Sequence, residues 1–553
     1  MRSLGGALAA TSLLVLASCE KPSTTARTVL FVSIDTARAD YLRFDDPRTV
    51  PNLAALAERG VVFDQAVTGA SWTLPSHVQM FTGQPPALHG VNFDDVQIDP
   101  NTPTLPVKFG ENGWRTVGFF SGWYLVKEYG FSRGFDVYEN AMPGGSAFER
   151  DLREASKIPD LRRRTDAKNA IWARADQVSH EAVTSPTIVD HAVAAIDDAR
   201  DEDLFLFLHF FDPHYDYVPP DDVAKKFDPD YDGPIDGRNF YHNKAIFDGG
   251  RRVVDDRGLE HVRALYRGVI YYTDEYVGKV IDHLREVGRL DNTFVVVVGD
   301  HGEEFFEHGN RGHRNTLYDE QLRVPMLLVP PKDVEARRGR TVESQTSLSD
   351  VAPTLLDYAN IPQDHCYGRS LMGAVRGEEL APLAQFSFLR PFPKVPRDDR
   401  TNVTHVFVDS WRTPTEKLLR SWVYNTRARE FVTRDAAYYD LVQDPGEHAP
   451  VSDVTDPRFV SAWNAAEALK EDLRERHDEL RIAGSDTRTS SASDMLKGIL
   501  EEAGYAQASE DDGPSGDGYT SSYSVPWNLA PPPRLTLADY EKELVERTTF
   551  KDE

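Results

Sequence analysis

Cysteine is nearly absent: the chain of 553 residues holds two, Cys19 and Cys366, too few for a disulfide framework to organise it. Basic charge is also scarce. Against 89 Asp and Glu stand 62 Lys and Arg, a formal net charge of −27, and no basic run is longer than Arg162 to Arg164. Such a surface repels a phosphate backbone, which excludes a nucleic-acid reader and a nucleic-acid partner. Long apolar runs are missing too. The single candidate, Leu4 to Ala17, has 14 residues and is too short to span hydrocarbon. With 40% apolar residues over this length, the chain has ample material for a large buried core.

That short run follows Arg2 and ends Leu16-Ala17-Ser18-Cys19, a basic start, an apolar stretch and small residues before a cysteine. It resembles a bacterial lipoprotein signal with its lipobox; an ordinary secretory signal with a chance cysteine is the alternative. The resemblance implies removal of residues 1–18 and lipid on Cys19, which would hold the protein on a membrane of the bacterial envelope. Glu20 after the cysteine points to the outer membrane, facing periplasm or cell surface. Cys366 would then have no partner for a bridge.

After a linker over 19–27, Val29 to Ile34 is a buried-strand run that ends at Asp35, and Leu204 to Phe211 and Phe294 to Val298 are similar runs. Between them, Val189, Val193 and Ile196 share one helical face, and Val262, Leu265, Tyr266, Val269, Val277, Ile281 and Leu284 line another. Strands alternating with helices predict an α/β fold over 28–375, a mostly parallel sheet sandwiched by helices. Shorter strands, His405 to Val408, Leu418 to Val423 and Tyr438 to Leu441, predict a smaller antiparallel subdomain over 376–450. A helical segment over 451–505 and a flexible acidic tail over 506–553 complete the division.

In parallel sheets, ligands sit outside the carboxyl ends of the strands. Asp35 stands at one such end, Asp300-His301-Gly302 at a second, and Asp212-Pro213-His214 at a third. Carboxylates and imidazoles converging there supply ligands for a divalent cation. Pro75 and Ser76 suit the first turn of a short helix, which presents Thr73 at its N-terminus, where free amides favour an oxyanion. Thr73 is therefore either an activated nucleophile or a simple helix cap.

The order of these motifs resembles the sulfatase family of the alkaline phosphatase superfamily. The matching stretches are Ser33-Ile34-Asp35-Thr36-Ala37-Arg38, Thr73-Leu74-Pro75-Ser76-His77 with Thr82-Gly83, Asp212-Pro213-His214 and Gly299-Asp300-His301-Gly302-Glu303. Further on come Gly312-His313, Asp350-Val351-Ala352-Pro353-Thr354-Leu355 and Asp444-Pro445-Gly446-Glu447. The resemblance implies that Asp35, Asp300, His301 and Thr73 hold a divalent metal ion, with zinc, manganese and calcium as candidates. It implies that Thr73, His214 and His313 are catalytic, and that His77 and Arg38 bind substrate. A second cation, if present, would fall to Asp212, His214 and His313.

Three departures set this chain apart from the resemblance. Formylglycine is made from Cys or Ser at the position of Thr73, so no formylglycine is expected. Thr36 replaces an acidic residue, which lowers ligand charge and favours a transition metal over calcium. The Lys-x-His pair that grips sulfate in relatives is missing from Phe119 to Tyr124. The expected function is hydrolysis of a phosphate monoester or diester, or of a sulfate ester, on a small-molecule, glycan or lipid substrate, with phosphorus favoured. A transferase of phosphoethanolamine or phosphoglycerol, and a non-catalytic surface lipoprotein that binds a glycan or anionic ligand, are the alternatives.

Overall fold

The computed structural model describes residues 26–483 apart from 93–95, 181, 239, 241–242, 249–250, 392–403 and 426–429. The signal over 1–18, Cys19, most of the linker, the helical segment beyond 483 and the tail over 506–553 lie outside the described residues.

The strands that build the centre are β1 (Thr28–Ile34), β2 (Val61–Phe63), β3 (Arg115–Phe120), β4 (Val137–Asn140), β5 (Leu204–Phe210), β6 (Thr293–Gly299), β7 (Met326–Val329) and β8 (Arg340–Val342). Among the described residues they form one eight-stranded sheet in the order β8-β2-β7-β6-β1-β5-β3-β4. Every residue of β1, β5 and β6 is buried, because helices cover both faces of the sheet. Alternate side chains go to opposite layers. Val29, Phe31, Phe205, Phe207 and Val296 pack with Leu74, Val78 and Phe81 of α1 (Thr73–Thr82). Leu30, Val32, Leu206, Leu208 and Val297 face the other way, toward Ile188 and Val189 of α2 (Ser185–Asp198) and Val262, Leu265 and Ile281 of α3 (Asp256–Glu286). The apolar faces read from the sequence are thus the faces that seal this layer. β7 alone runs antiparallel to its neighbours β6 and β2. The chain leaves β6, forms the loop that carries His301 and His313, and returns directly beside it.

The expected small antiparallel sheet is present, with β9 (Gln385–Leu389), β10 (Thr404–Arg412), β11 (Glu416–Asn425) and β12 (Glu430–Asp440) side by side in that order. A helix, α4 (Pro457–Ala483), closes it by burying Phe459, Trp463 and Ala466 against Trp411, Leu418 and Tyr438. No helix among the described residues is long and apolar enough to cross a membrane.

Candidate active site

Register brings the strand ends together: Ile34 pairs with Gly299 on one side and with Phe210 on the other, so Asp35, Asp300 and the segment 211–214 emerge side by side. The N-terminus of α1 is pinned to the same edge. The Ser76 hydroxyl donates to the Asp300 carbonyl at 2.6 Å. Trp72 takes the cap position and Thr73 is the first helical residue, so Thr73 is no helix cap. Its Oγ1 lies 3.3 Å from Nε2 of His301.

His301 donates through Nδ1 to the Gly302 carbonyl at 3.0 Å, an arrangement that leaves Nε2 as the open nitrogen. This atom is 3.6 Å from Asp35 Oδ1 and 3.5 Å from Asp300 Oδ2. Asp300 Oδ1 accepts the amides of Thr36 and His301, at 3.1 and 2.8 Å, but Oδ2 has no hydrogen-bond partner, and neither has Asp35 Oδ1. Both carboxylates are fully buried. Burial, and then the charge of Glu303, push the Asp35 carboxyl well up; burial, and then Asp35, do the same to Asp300. Buried carboxylate oxygens without donors are costly unless a cation compensates them. Asp35, Asp300 and His301 offer ligand atoms all within 4.8 Å of one another, so the residues present fit a divalent metal ion.

Thr36 adds no ligand. Its hydroxyl donates to the Pro213 carbonyl at 2.9 Å, and it holds a φ of 51°, an unfavourable region for a β-branched residue. Its carbonyl accepts from the Tyr266 hydroxyl at 2.6 Å, which anchors this strained turn beside Asp35.

His214 and His313 stand next to this centre. The His313 ring lies 4.6 Å from that of His301 and 5.0 Å from that of His214. His214 donates through Nδ1 to the Tyr215 carbonyl at 2.9 Å, and His313 Nδ1 is 3.4 Å from Glu303 Oε2. Burial, then the charge of His313, holds His214 well down, and burial, then Arg314, takes His313 to about 3. Glu303, also fully buried, is pushed up by burial to about 8. Burial thus favours the uncharged form of both members of the pair. Glu303 was not singled out as a site residue from the sequence, although it sits two residues after His301.

Three residues expected at the site are engaged within the protein. The first is His77. It is fully buried behind Thr73, with Nδ1 donating to the Thr73 carbonyl at 2.9 Å and Nε2 3.0 Å from Ser33 Oγ. Arg38 is spent within the protein, on both oxygens of Asp40, on Glu307 and on the Glu303 carbonyl. The oxygens of Asp212, expected at a second cation, accept the amides of Thr184 and Ser185 and the Thr184 hydroxyl, and so satisfy the free N-terminus of α2. A further cluster of Glu304, His308 and Glu320 is similarly occupied, since His308 contacts Glu320 at 2.7 Å and the Glu447 carbonyl at 3.2 Å.

Comparison with known proteins agrees with this geometry. The chain is 22% identical over 470 residues to an ulvan-active sulfatase of Formosa agariphila, covering 82% of each chain. It is 24% identical over 431 residues to a multifunctional alkaline phosphatase superfamily protein of Trinickia caryophylli, covering 63% of this chain and 77% of the relative. Its fold matches the crystal structure of a phosphonate monoester hydrolase of Agrobacterium radiobacter with a TM-score of 0.61 at 20% identity, over 82% of this chain and 96% of that one. The model of the sulfatase family matches residues 27–361. Because that match runs from the first strand past the site loop and covers more than half of the sequence, the chain belongs to the sulfatase family of hydrolases, with an alkaline-phosphatase-like fold.

Proposed function

We propose that this protein is a metal-dependent hydrolase of phosphorus esters that uses Thr73 as an unmodified alcohol nucleophile. The observation that carries the reading is the Thr73 hydroxyl in the first turn of α1, 3.3 Å from His301 and beside two carboxylates with unpartnered oxygens. A divalent ion held by Asp35, Asp300, His301 and Thr73 would supply positive charge that lowers the proton affinity of the hydroxyl and offsets charge on the ester oxygens. Thr73 gives its hydroxyl proton to solvent, and its Oγ1 forms a bond to phosphorus while the bond to the leaving oxygen breaks. That oxygen takes its proton from the Glu303–His313 pair, and His214 donates to the transferred group once an anionic substrate has raised its proton affinity. Water then hydrolyses the phosphothreonine ester. One cation suffices, since Asp212 is committed to α2.

Threonine favours phosphorus over sulfur because it is neither of the residues from which formylglycine is made. The relatives' names, an ulvan-active sulfatase, a multifunctional alkaline phosphatase superfamily protein and a phosphonate monoester hydrolase, include phosphorus as well as sulfur chemistry. The test is parallel assay of metal-loaded protein on an aryl phosphate, an aryl phosphodiester, an aryl phosphonate and an aryl sulfate. Turnover is expected on a phosphorus ester, lost with a chelator and restored by manganese or zinc. Cleavage of the sulfate alone would contradict the reading. A lipid anchor on Cys19 belongs to the same proposal, and intact mass of the membrane-extracted protein tests it through acyl mass on a chain beginning at that cysteine.

A further inference from the structure

Strands β1 and β5 send alternate residues into the apolar layer shared with α1: Val29 and Phe31 from one, Phe205 and Phe207 from the other. The next residues in that alternation are Ser33 and His209, which pair directly across the two strands. Both are polar and fully buried, where apolar side chains would pack at no desolvation cost. They are joined to each other and to both halves of the site. His209 Nε2 lies 3.2 Å from Asp35 Oδ2, its Nδ1 lies 3.3 Å from Ser33 Oγ, and Ser33 Oγ lies 3.0 Å from His77 Nε2. His77 closes the series on the carbonyl of Thr73, and the two imidazole rings stand edge to face 4.6 Å apart. Phe131 and Phe207 stand edge to face against the fully buried His77.

We propose that His77, Ser33 and His209 are positioning residues, a buried series of polar contacts that fixes the metal-binding carboxylate of Asp35 and the nucleophile helix at Thr73 relative to one another. The inference rests on the metal-ligand reading of Asp35 and deepens it. His209 engages the Asp35 oxygen opposite the unpartnered one, so it orients the carboxylate without competing for the ligand position. Ser33 is the hinge of the series. Its hydroxyl stands between the two imidazoles, and it is the smallest group whose removal cuts the link between Asp35 and Thr73.

Ser33→Ala is the test, since it deletes one oxygen and leaves Asp35, Thr73 and both histidines in place. Affinity for manganese and for zinc is read by chelator competition, thermal midpoint by calorimetry, and kcat and KM at saturating metal. The expected result is a metal affinity lowered about 10- to 100-fold and a lowered kcat at a nearly unchanged KM, with the fold intact. His209→Ala should show the same weakening of metal affinity, and Ser33→Thr, which keeps the hydroxyl, should recover most of it. Unchanged affinity and kcat in Ser33→Ala, beside a wild type that binds metal, would overturn the positioning role and leave the metal site standing. A wild type that binds neither ion would overturn both.

Discussion

A single carboxylate oxygen can distinguish a ligand from a support. Asp300→Asn keeps the bonds to Thr36 and His301 through one oxygen but removes the charge opposite His301. Bound metal and activity should be lost together, as measured by elemental analysis and turnover, with the thermal midpoint held or raised because a costly buried charge is gone. Full metal occupancy in this variant would remove Asp300 from the ligand set. Asp35, Thr73, Asp300 and His301 were legible in the sequence because each follows an apolar run or opens a helix. His209 and Ser33 were not, since each is a lone polar residue inside a strand run, and only the pairing of β1 with β5 brings them together. Arg38 and His77 carry the residue types of substrate contacts, yet whether a side chain at a strand end turns to the crevice or into the body depends on neighbours far away in sequence.

Among the elements, α2 shows what position alone leaves open. Asp212 stands at a strand end like Asp35 and Asp300, but its carboxylate takes the first amides of α2. Asp212→Ala should therefore cost about 1–2 kcal/mol of stability, measured by denaturant unfolding, with the metal content unchanged. Loss of a metal equivalent would instead revive a two-cation site. The segment that precedes α2 carries a pH-dependent tie. His180 sits between Asp176 and Asp216, whose hydrogen bonds raise it from 6.5 to about 10. Its contribution is full below about pH 6.5 and is lost as the pH rises through about 10. The gap in thermal midpoint between wild type and His180→Gln should shrink over that interval; a gap independent of pH would contradict the assignment. The long buried strands were legible as uninterrupted apolar runs, whereas β3 and β4 were not, because Arg115, Thr116 and Gly118 interrupt one and Glu139 and Asn140 the other.

Over the whole molecule, the small sheet buttresses the loop that carries His313. Lys417 of β11, fully buried, contacts Asp319 at 3.0 Å and Glu447 at 2.7 Å, and Arg412 of β10 adds a second cation on Asp319. Lys417→Met should cost about 1–3 kcal/mol in denaturant unfolding, because Glu447, which burial pushes up to about 7 even beside Lys417, would take up a proton and lose its buried partner. A loss below 1 kcal/mol would mean that the two sheets are held by apolar packing alone. The change of strand pattern near residue 380 foreshadowed this second sheet, although three of its strands, with 9, 10 and 11 residues, are longer than expected, and its grip on the loop that carries His313 depends on side chains about 100 positions apart, which no local pattern relates. All of these ties serve one hydroxyl, and mass spectrometry of the peptide spanning Trp72 to His77, acid-quenched during turnover of an aryl phosphate, addresses it directly. Threonine should be unmodified at rest and carry a phosphoryl group at Thr73 during turnover, absent in Thr73→Ala together with activity; a fully active Thr73→Ala enzyme would rule out the threonine nucleophile.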